Sequence, residues 1–417
     1  MRNAVALSAL VFSVGFSANA MAAAPPTAAQ VLTSYGDIAQ AMYGDAHATA
    51  KTLQQQVNAF VADPTLAKLA VARAAWKAAR VPYSQSEGFR FGNAVVDEWE
   101  PRVNSWPLDE GLIDYVAASY GTTSDENPLY TLNIIAHQQI RIGAKMIDAT
   151  RIDKSLLRHL EEAEGVKTNV ATGYHAIEFL LWGQDLHGTG PGAGERLASD
   201  YDVKHCTHGN CSRRAAYLKA ATDLLVDDLA EMTADWAPAG SARAKAAQGG
   251  LATILIGIGS LSYGELAGER MKLGLILHDP EEEQDCFSDN THNSHYYDVL
   301  GMSEIWRGGY TRVDGSKVSG ASLRDYAIAK NPAAAKRLDA AMDVALAKLK
   351  SIKGTADSGR MAYDQMISNG NLAGNKMVQD AIDALVAQTR ATEGVMAALG
   401  LQTKLQGSEK FENPASK

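Results

Sequence analysis

The sequence lacks three features that would each indicate a class of protein. It has no excess of basic charge, since 39 Lys and Arg residues stand against 48 Asp and Glu residues, for a formal net charge of −9. Nucleic-acid binding depends on neutralising phosphates with Lys and Arg, so we expect no nucleic acid as a partner. Alternating runs of β-branched residues are nearly absent, and no long apolar run follows the N-terminal segment. We therefore expect a mostly helical protein that does not span a membrane.

The N-terminal segment has the pattern of a secretory signal peptide. Arg2 precedes the apolar run AVALSALVFSVGF, which is too short to span a bilayer, and a small-residue A-N-A cleavage site ends at Ala20. We expect a signal peptide over residues 1–20, with Ala22 and Ala24 as alternative cleavage points, and export to the periplasm. No cysteine lies near this site, so nothing offers the acylated cysteine of a lipoprotein anchor.

Cysteine is scarce, with three residues in the chain. Cys206 and Cys211 lie close together in HCTHGNCSRR, and an exported protein meets an oxidising compartment, so we expect a local disulfide between them. The alternative is a metal-binding knuckle that includes His205 and His208, which the spacing and the oxidising compartment both disfavour. Cys286 is then expected to be unpaired.

Apolar residues recur at helical intervals through most of the chain. Between Ala28 and Phe60 they fall on one face, at intervals of three or four residues or multiples of these. Asp63 and Pro64 then offer an N-cap and a first-turn proline for a second helix, which Pro82 is expected to kink. We therefore predict an all-α protein built from bundles of antiparallel helices. Further helices are predicted at Leu129–Ala149, Ile152–Ala163, Lys167–Trp182, Arg213–Trp236, Ala242–Leu277, Ser322–Lys330, Ala333–Ile352 and Lys376–Leu399.

Two long, aromatic-rich segments, Gly92–Gly121 and Asp279–Gly309, do not fit the helical pattern. Each follows a long predicted helix, and structureless segments of this length are usually functional or packed. The glycine-rich segment Gly188–Leu197 is expected to be a flexible connector near the middle of the chain.

The two halves of the chain show signs of an internal duplication. The spacing from Tyr83 to Arg90, before the first irregular segment, recurs from Tyr263 to Arg270 before the second. We therefore predict two related four-helix-bundle domains with long aromatic-rich loops. The expected domains are a first bundle over residues 27–205, a second bundle over residues 206–405 and a flexible tail over residues 406–417.

The segment TGYHAIEFLLWGQD places two titratable residues among apolar ones. On a helix, His175 and Glu178 lie on one face because they are three residues apart, and together they can chelate one divalent ion. Gly173 leaves room for close backbone approach. The alternative is a buried structural hydrogen bond, although an ionised carboxylate in such surroundings needs an arginine, a protonated histidine or a metal ion. Asp364 takes the place of the histidine in the second half, so the pair belongs to the first half only.

Two residues cannot hold an ion selectively, so further ligands are needed. Glu87 on the second helix and Asp109 or Glu110 in WPLDEG are the candidates. Each has an alternative role, because Glu87 could pair with a nearby arginine and the other two could cap a short helix. Oxygen-rich ligands with one histidine suit iron and zinc about equally. The pair His292 and His295 in THNSHYY lacks a supporting carboxylate spacing, so we expect it to serve packing.

The G-x-H-x-x-E element from Gly173 to Glu178 resembles the defining motif of the imelysin family. The segments ARVPYSQSEGFRFGNAVVDEWEPRVNSWPLDEGLIDYV, HCTHGNCSRRAAYLKAATDLLVDDL and GERM also resemble this family, so the resemblance covers essentially the whole mature chain. It implies an exported bacterial protein of two related four-helix bundles, with the motif near their interface. The motif is intact at Gly173, His175 and Glu178, and it implies Glu87 and Asp109 only as neighbours of the site.

The resemblance implies more than one function. The family takes its name from an insulin-cleaving metallopeptidase, and its relatives include iron-regulated proteins and a periplasmic iron-uptake component that binds metal through HxxE. H-E-x-x-H is absent from the chain, and HxxE supplies no dedicated base between its ligands. We therefore favour a periplasmic iron- or zinc-binding protein of iron acquisition over a metallopeptidase or a helical interaction module with a vestigial site. An inner- or outer-membrane iron-uptake component is then an expected partner.

Overall fold

The computed structural model describes residues 24–401 and residue 405. The predicted signal peptide and the predicted C-terminal tail lie outside the described residues. The described chain is mostly helical, with two short hairpins as its strands, which confirms the predicted all-α class. The α-helices are α1 Ala28–Ala62, α2 Leu66–Ser86, α3 Ala94–Trp99, α4 Pro101–Asn104, α5 Glu110–Ile113, α6 Lys154–Leu160, α7 Gly173–Trp182, α8 Cys211–Asp235, α9 Ser241–Gly249, α10 Leu251–Ser260, α11 Leu273–Leu277, α12 Thr291–Arg307, α13 Leu323–Lys330, α14 Pro332–Asp357, α15 Tyr363–Ile367 and α16 Leu372–Ala398.

Two small antiparallel hairpins interrupt the helices. They pair β1 Gln139–Ile142 with β2 Lys145–Asp148, and β3 Gly309–Thr311 with β4 Lys317–Ser319. The first hairpin replaces the helix predicted over Leu129–Ala149. Its strands are joined by a two-residue turn in which Gly143 has φ +53°, a conformation that glycine adopts without strain. The prediction was wrong because QIRI alternates polar and apolar residues, which is the period of a strand and not of a helix.

The prediction also failed at three helix starts. The second irregular segment contains α12, which carries His292 and His295 on successive turns. The predicted helix over Lys167–Trp182 begins only at Gly173, because the preceding residue, Thr172, is extended. Thr65, rather than Asp63, caps α2, since its hydroxyl accepts a hydrogen bond from the backbone N–H of Lys68 at 3.3 Å.

The long helices pack around a continuous hydrophobic core. Helix α1 packs along α2 and α8, and α14 packs along α16 in the second half. Helix α7 lies against α2 and α8, while α12 lies against α2 as well as α14, so α2 contacts elements from both halves. The site region therefore lies where α7 and the segment before α12 meet α2. The predicted division into bundles at residues 205 and 206 remains a prediction, as does the duplication.

The stretch Leu251–Leu277 is the one helical stretch of the described chain long and apolar enough to cross a membrane. Its window is 72% buried inside the protein, as is usual for a core helix. The stretch comprises α10, a π-helical segment at Leu261–Lys272, and α11. The π-helical segment carries Arg270 into the buried polar region described below.

The predicted disulfide is confirmed, because Cys206 and Cys211 are bonded to each other. The sulfur atoms are therefore not available as metal ligands, and the adjacent histidines pair with carboxylates instead. His205 Nδ1 lies 2.9 Å from Asp202, and His208 Nδ1 lies 2.6 Å from Asp200. Cys286 is a free cysteine, as expected.

Candidate metal centre

Helix α7 carries the HxxE pair and is buried along its whole length. It begins at Gly173, which has φ +82° and would bring a β-carbon within 2.5 Å of the Val103 carbonyl oxygen. Only glycine satisfies both requirements, so the close backbone approach expected from the sequence is present. This approach fixes the start of the helix two residues before His175.

Hydrogen bonds from three sides hold α7 in place. Trp76 Nε1 of α2 donates to the Tyr174 carbonyl oxygen at 2.9 Å, and the Tyr217 hydroxyl of α8 donates to the Ala171 carbonyl oxygen at 2.9 Å. The Glu161 carboxylate accepts from the backbone N–H of both Ala171 and Thr172 at 2.8 Å each. A helix anchored in this way presents its side chains from a rigid scaffold, as a binding site requires.

His175, Glu178 and Asp285 form a compact buried cluster. His175 Nδ1 lies 3.1 Å from Glu178 Oε2 and 3.8 Å from Asp285 Oδ1, and all three side chains are completely buried. Their ligand atoms lie within 4.8 Å of one another, and no other trio of His, Cys, Asp or Glu in the described chain meets this distance. The cluster is therefore the strongest candidate for a metal centre among the described residues.

Burial sets the protonation of the HxxE pair. It lowers the pKa of His175 to about 3, helped by the Arg80 guanidinium, so the imidazole is neutral at physiological pH. Burial also raises the pKa of Glu178 well above its usual value, and the nearby Asp285 carboxylate raises it further. A neutral imidazole is the form that coordinates metals.

Arg80 balances the charge of Asp285. Burial alone would raise the pKa of Asp285, but the guanidinium of Arg80 and further hydrogen bonds lower it to about 2. Arg80 Nη2 lies 3.1 Å from Asp285 Oδ1, while Asn290 and Ser294 donate to Oδ2 at 2.9 Å and 2.5 Å. Asp285 is thus an ionised carboxylate whose orientation is fixed by its neighbours.

Glu87 and Asp109, the other predicted site residues, lie outside this cluster. Glu87 Oε2 pairs with Arg270 Nη2 at 2.6 Å, and Asn104 connects its other oxygen to Arg80. Glu87 is therefore joined to the cluster through a buried polar network. Asp109 immediately precedes α5 and accepts hydrogen bonds from Asn127 at 2.5 Å and Thr168 at 2.6 Å. Neither residue belongs to the group of close ligand atoms, and their role as ligands remains a prediction.

Asp285 is the functional candidate that the sequence did not reveal. It lies in EEEQDCFSDN, within the irregular segment expected to be functional or packed, but four other acidic residues in that stretch look equivalent. Its proximity to α7 comes from a contact between distant parts of the chain. The backbone N–H of Ser288 donates to Glu178 Oε1 at 3.0 Å across 110 residues, which fixes the segment against the helix.

The donor set fits a divalent transition metal. Two ligands held at about 2.1 Å in a tetrahedral arrangement lie about 3.4 Å apart, close to the separations of His175 Nδ1 from the two carboxylates. One imidazole with two carboxylates suits zinc or ferrous iron. Within the described structure, His175 Nε2 and Asp285 Oδ1 have no hydrogen-bond partner by distance and angle, although Asp285 Oδ1 is ion-paired to Arg80.

The chain is similar to known proteins over most of its length. The sequence model of the family described as Imelysin matches residues 39–392. Iron-regulated protein A from Synechococcus elongatus is 34% identical over 76 residues, which is 18% of this chain and 21% of that protein. The match thus spans about a fifth of that relative's length.

Two solved structures share the fold. A protein from Parabacteroides distasonis, described as an iron-regulated protein A precursor, has a TM-score of 0.61 and 17% identity, covering 90% of this chain and 96% of its own. An imelysin-like protein from Psychrobacter arcticum has a TM-score of 0.57 and 15% identity, covering 92% of this chain and 100% of its own. At these identities the likeness concerns the fold.

Proposed function

Since the chain belongs to the imelysin family, we propose that it binds one iron or zinc ion at His175, Glu178 and Asp285 and serves iron acquisition in the periplasm. The observation that carries the proposal is the gathering of three ligand atoms within 4.8 Å inside the protein. The name of the relative iron-regulated protein A favours iron as the physiological metal.

The charges of the cluster support metal binding. Two carboxylates lie beside a neutral imidazole, and one cation, Arg80, is ion-paired to Asp285. A divalent cation would compensate the second carboxylate, whose ionised form is otherwise strongly disfavoured by burial. When bound, the ion would supply the positive charge that holds Glu178 ionised. His175 would contribute a nitrogen ligand, which discriminates against the hard cations Mg²⁺ and Ca²⁺.

The metallopeptidase alternative has one observation in its favour. Three protein ligands leave a coordination position for water, as in catalytic zinc sites. However, the His175, Glu178 and Asp285 side chains are all completely buried, so an extended peptide cannot reach them without opening the fold. Binding requires fewer parts and only the passage of an ion, and we therefore favour it. Chelator-sensitive cleavage of unfolded peptides that disappears in Glu178→Gln would support the alternative instead.

Metal stoichiometry tests the proposed centre. The purified protein is stripped with a chelator and reloaded with Zn²⁺ or, anaerobically, with Fe²⁺, and the bound metal is measured by elemental analysis and titration calorimetry. We expect one ion per chain in the wild type and an affinity lower by about 100-fold or more in His175→Ala, Glu178→Gln and Asp285→Asn. His205→Ala, which removes an exposed imidazole outside the cluster, serves as the control. Unchanged affinity in all three cluster variants would refute the proposal.

The role in iron acquisition needs a test in cells. Protein isolated from iron-replete and iron-starved cells is expected to differ in its iron content. Deletion of the gene should slow growth under iron chelation, and the wild-type gene should restore growth where the Glu178→Gln gene does not. Full restoration of growth by the Glu178→Gln gene would show that the cellular role does not depend on the metal centre.

A further inference from the structure

A cleft lined by carboxylates lies next to the segment that carries Asp285, and the proposed function does not use it. Its walls come from the loop after α7, the segment between α11 and α12, and the short helix α15. These three parts of the chain are far apart in sequence. The acidic residues that line the cleft are Asp185, Glu281, Glu283, Asp289 and Asp364.

The two most deeply buried of these carboxylates have no cationic partner among the described residues. Glu283 is 1% exposed and Asp364 is 2% exposed. By distance and angle, none of their four carboxylate oxygens accepts a hydrogen bond within the described structure, although the Thr291 side chain lowers the pKa of Glu283 and the Gln365 backbone lowers the pKa of Asp364. No described Lys, Arg or His forms an ion pair with either residue. Burial of an ionised carboxylate without compensation is strongly unfavourable, so this pair must take up protons or a cation.

The outer carboxylates of the cleft are partly compensated. Asp185 lies 2.8 Å from His187, and Lys77 lowers the pKa of Asp289, although burial dominates and raises that pKa to about 6. Burial, together with Asp289 and Asp185, raises the pKa of Asp364 to about 7. The repulsion shows that the carboxylates act on one another across the cleft.

The space between the carboxylates is small. The free space inside the cleft has room for about one water molecule or ion. We propose that this cleft binds a hard divalent cation through the carboxylates of Glu283 and Asp364, with Asp289 and Asp185 at its mouth. Oxygen-only ligands of this kind are those of Ca²⁺ and Mg²⁺ sites.

This site goes beyond the proposed function, because it shares no ligand with the buried metal centre. No three carboxylates of the cleft bring their oxygens within 4.8 Å of one another in the described structure, in contrast to the metal centre. Water at the mouth of the cleft would complete the coordination of the cation, since hard divalent cations in proteins commonly keep bound water. By bridging Glu283 and Asp364 the cation would join α15 to the segment before α12 and stabilise the fold.

Calcium binding tests the cleft. The purified protein is stripped with EDTA, and Ca²⁺ binding is measured by equilibrium dialysis and by the shift in melting temperature. We expect one Ca²⁺ per chain in the wild type, and an affinity lower by about tenfold or more in the double variant Glu283→Gln/Asp364→Asn. Amide side chains keep the shape of the carboxylates, and Asp364→Asn alone provides a milder variant if the double variant folds poorly.

The melting behaviour gives a second readout that a purely structural role would not produce. Without Ca²⁺ the double variant should melt above the wild type, because the variant no longer carries two unpaired buried carboxylates. Addition of Ca²⁺ should raise the melting temperature of the wild type and of the exposed control Asp125→Asn, and leave the double variant unchanged.

The buried centre provides the control for location. The variant His175→Ala/Glu178→Gln should lose zinc binding and retain Ca²⁺ binding, so that failure of one site can be distinguished from failure of the other. Three outcomes would overturn the inference: no Ca²⁺ binding by the wild type, wild-type affinity in the cleft variant, or loss of Ca²⁺ only in the His175→Ala/Glu178→Gln variant.

Discussion

At the scale of single residues, Arg80 supplies the positive charge that compensates Asp285 in the buried centre. Its guanidinium is 1% exposed and pairs with Asp285, and it also donates to Asn104 at 2.6 Å. Asn104 also donates to Glu87, so Glu87, which the sequence predicted as a ligand, is linked to the cluster only indirectly, through Asn104 and Arg80. A buried arginine in such a network holds the neighbouring carboxylates ionised and in fixed orientations.

Replacement of Arg80 by methionine should leave Asp285 buried without a cation. We expect Arg80→Met to lower the free energy of unfolding by about 3 to 5 kcal/mol, measured by denaturant unfolding of the metal-free protein. In an Asp285→Asn background the same replacement should lower the free energy of unfolding by clearly less than in the wild type, because no uncompensated charge is left behind. Strictly additive effects of the two substitutions would contradict the proposed coupling.

Gly173 is required by the backbone as well as by the motif. Gly173→Ala should destabilise the protein by about 2 to 4 kcal/mol, because a β-carbon is strained at φ +82° and meets the Val103 carbonyl oxygen. Gly354→Ala is the matched control, since this glycine lies inside α14 and its β-carbon would meet no described atom within 4 Å. The control should be stabilising by about 0.5 to 1 kcal/mol. Thermal and denaturant unfolding of both variants would check the opposite signs.

At the scale of secondary-structure elements, the start of α7 depends on a carboxylate from outside the helix. Glu161 Oε2 accepts hydrogen bonds from the Thr172 hydroxyl at 2.9 Å and from the two backbone N–H groups described above. Burial nevertheless raises the pKa of Glu161 to about 7, since the hydrogen bonds only partly offset the desolvation. The element that presents His175 is thus held by a group that titrates near neutral pH.

Stability should therefore depend on pH through Glu161. The folded state binds this proton more tightly than the unfolded state, whose pKa is 4.5, so the contribution is fully present below about pH 4.5 and is lost as the pH rises to about 7. The free energy of unfolding of Glu161→Gln, taken relative to that of the wild type, should rise on the order of 3 kcal/mol from pH 4.5 to pH 8. Denaturant unfolding at both pH values measures this difference, with Glu162→Gln as the control. Parallel pH curves for wild type and Glu161→Gln would contradict the assignment.

At the scale of the whole molecule, the candidate ligands connect segments that are far apart in sequence. Helix α7 supplies two of them, and the segment before α12 supplies the third. Helix α2 lies between these parts and provides Arg80. An ion bound at the cluster would therefore add a link between α7 and the segment before α12, which already meet through the Ser288–Glu178 hydrogen bond.

Metal binding should stabilise the folded protein for this reason. At a free Zn²⁺ concentration of about 100 times the Kd, the free energy of unfolding should rise by about 2.7 kcal/mol in the wild type. Asp285→Asn should show little increase at the same Zn²⁺ concentration, because it loses one of three ligands. Thermal unfolding with and without Zn²⁺ provides the measurement, and an equal shift in both proteins would locate the zinc elsewhere.

The sequence by itself determined the features that depend on local periodicity. Apolar residues at helical spacing predicted α1, α8, α14 and α16 close to their observed bounds, and the three-residue spacing placed His175 and Glu178 on one helical face. The Cys206–Cys211 disulfide was also predictable, since its partners are neighbours in the chain. Prediction failed at the β1–β2 hairpin, where a tight turn interrupts the apolar pattern. It also failed at α12, whose first turns are rich in polar residues and therefore show no clear helical period.

Only the tertiary structure decided which residues surround the HxxE pair. Asp285 contacts His175, and Arg80 pairs with Asp285, between segments that are more than one hundred residues apart, and no sequence spacing encodes such contacts. The same holds for Glu283 and Asp364, which the fold brings to one acidic cleft without a cationic partner among the described residues. Helix geometry is fixed by neighbouring residues, whereas the charge environment of a buried group is fixed by whatever packs against it, and that depends on the whole fold.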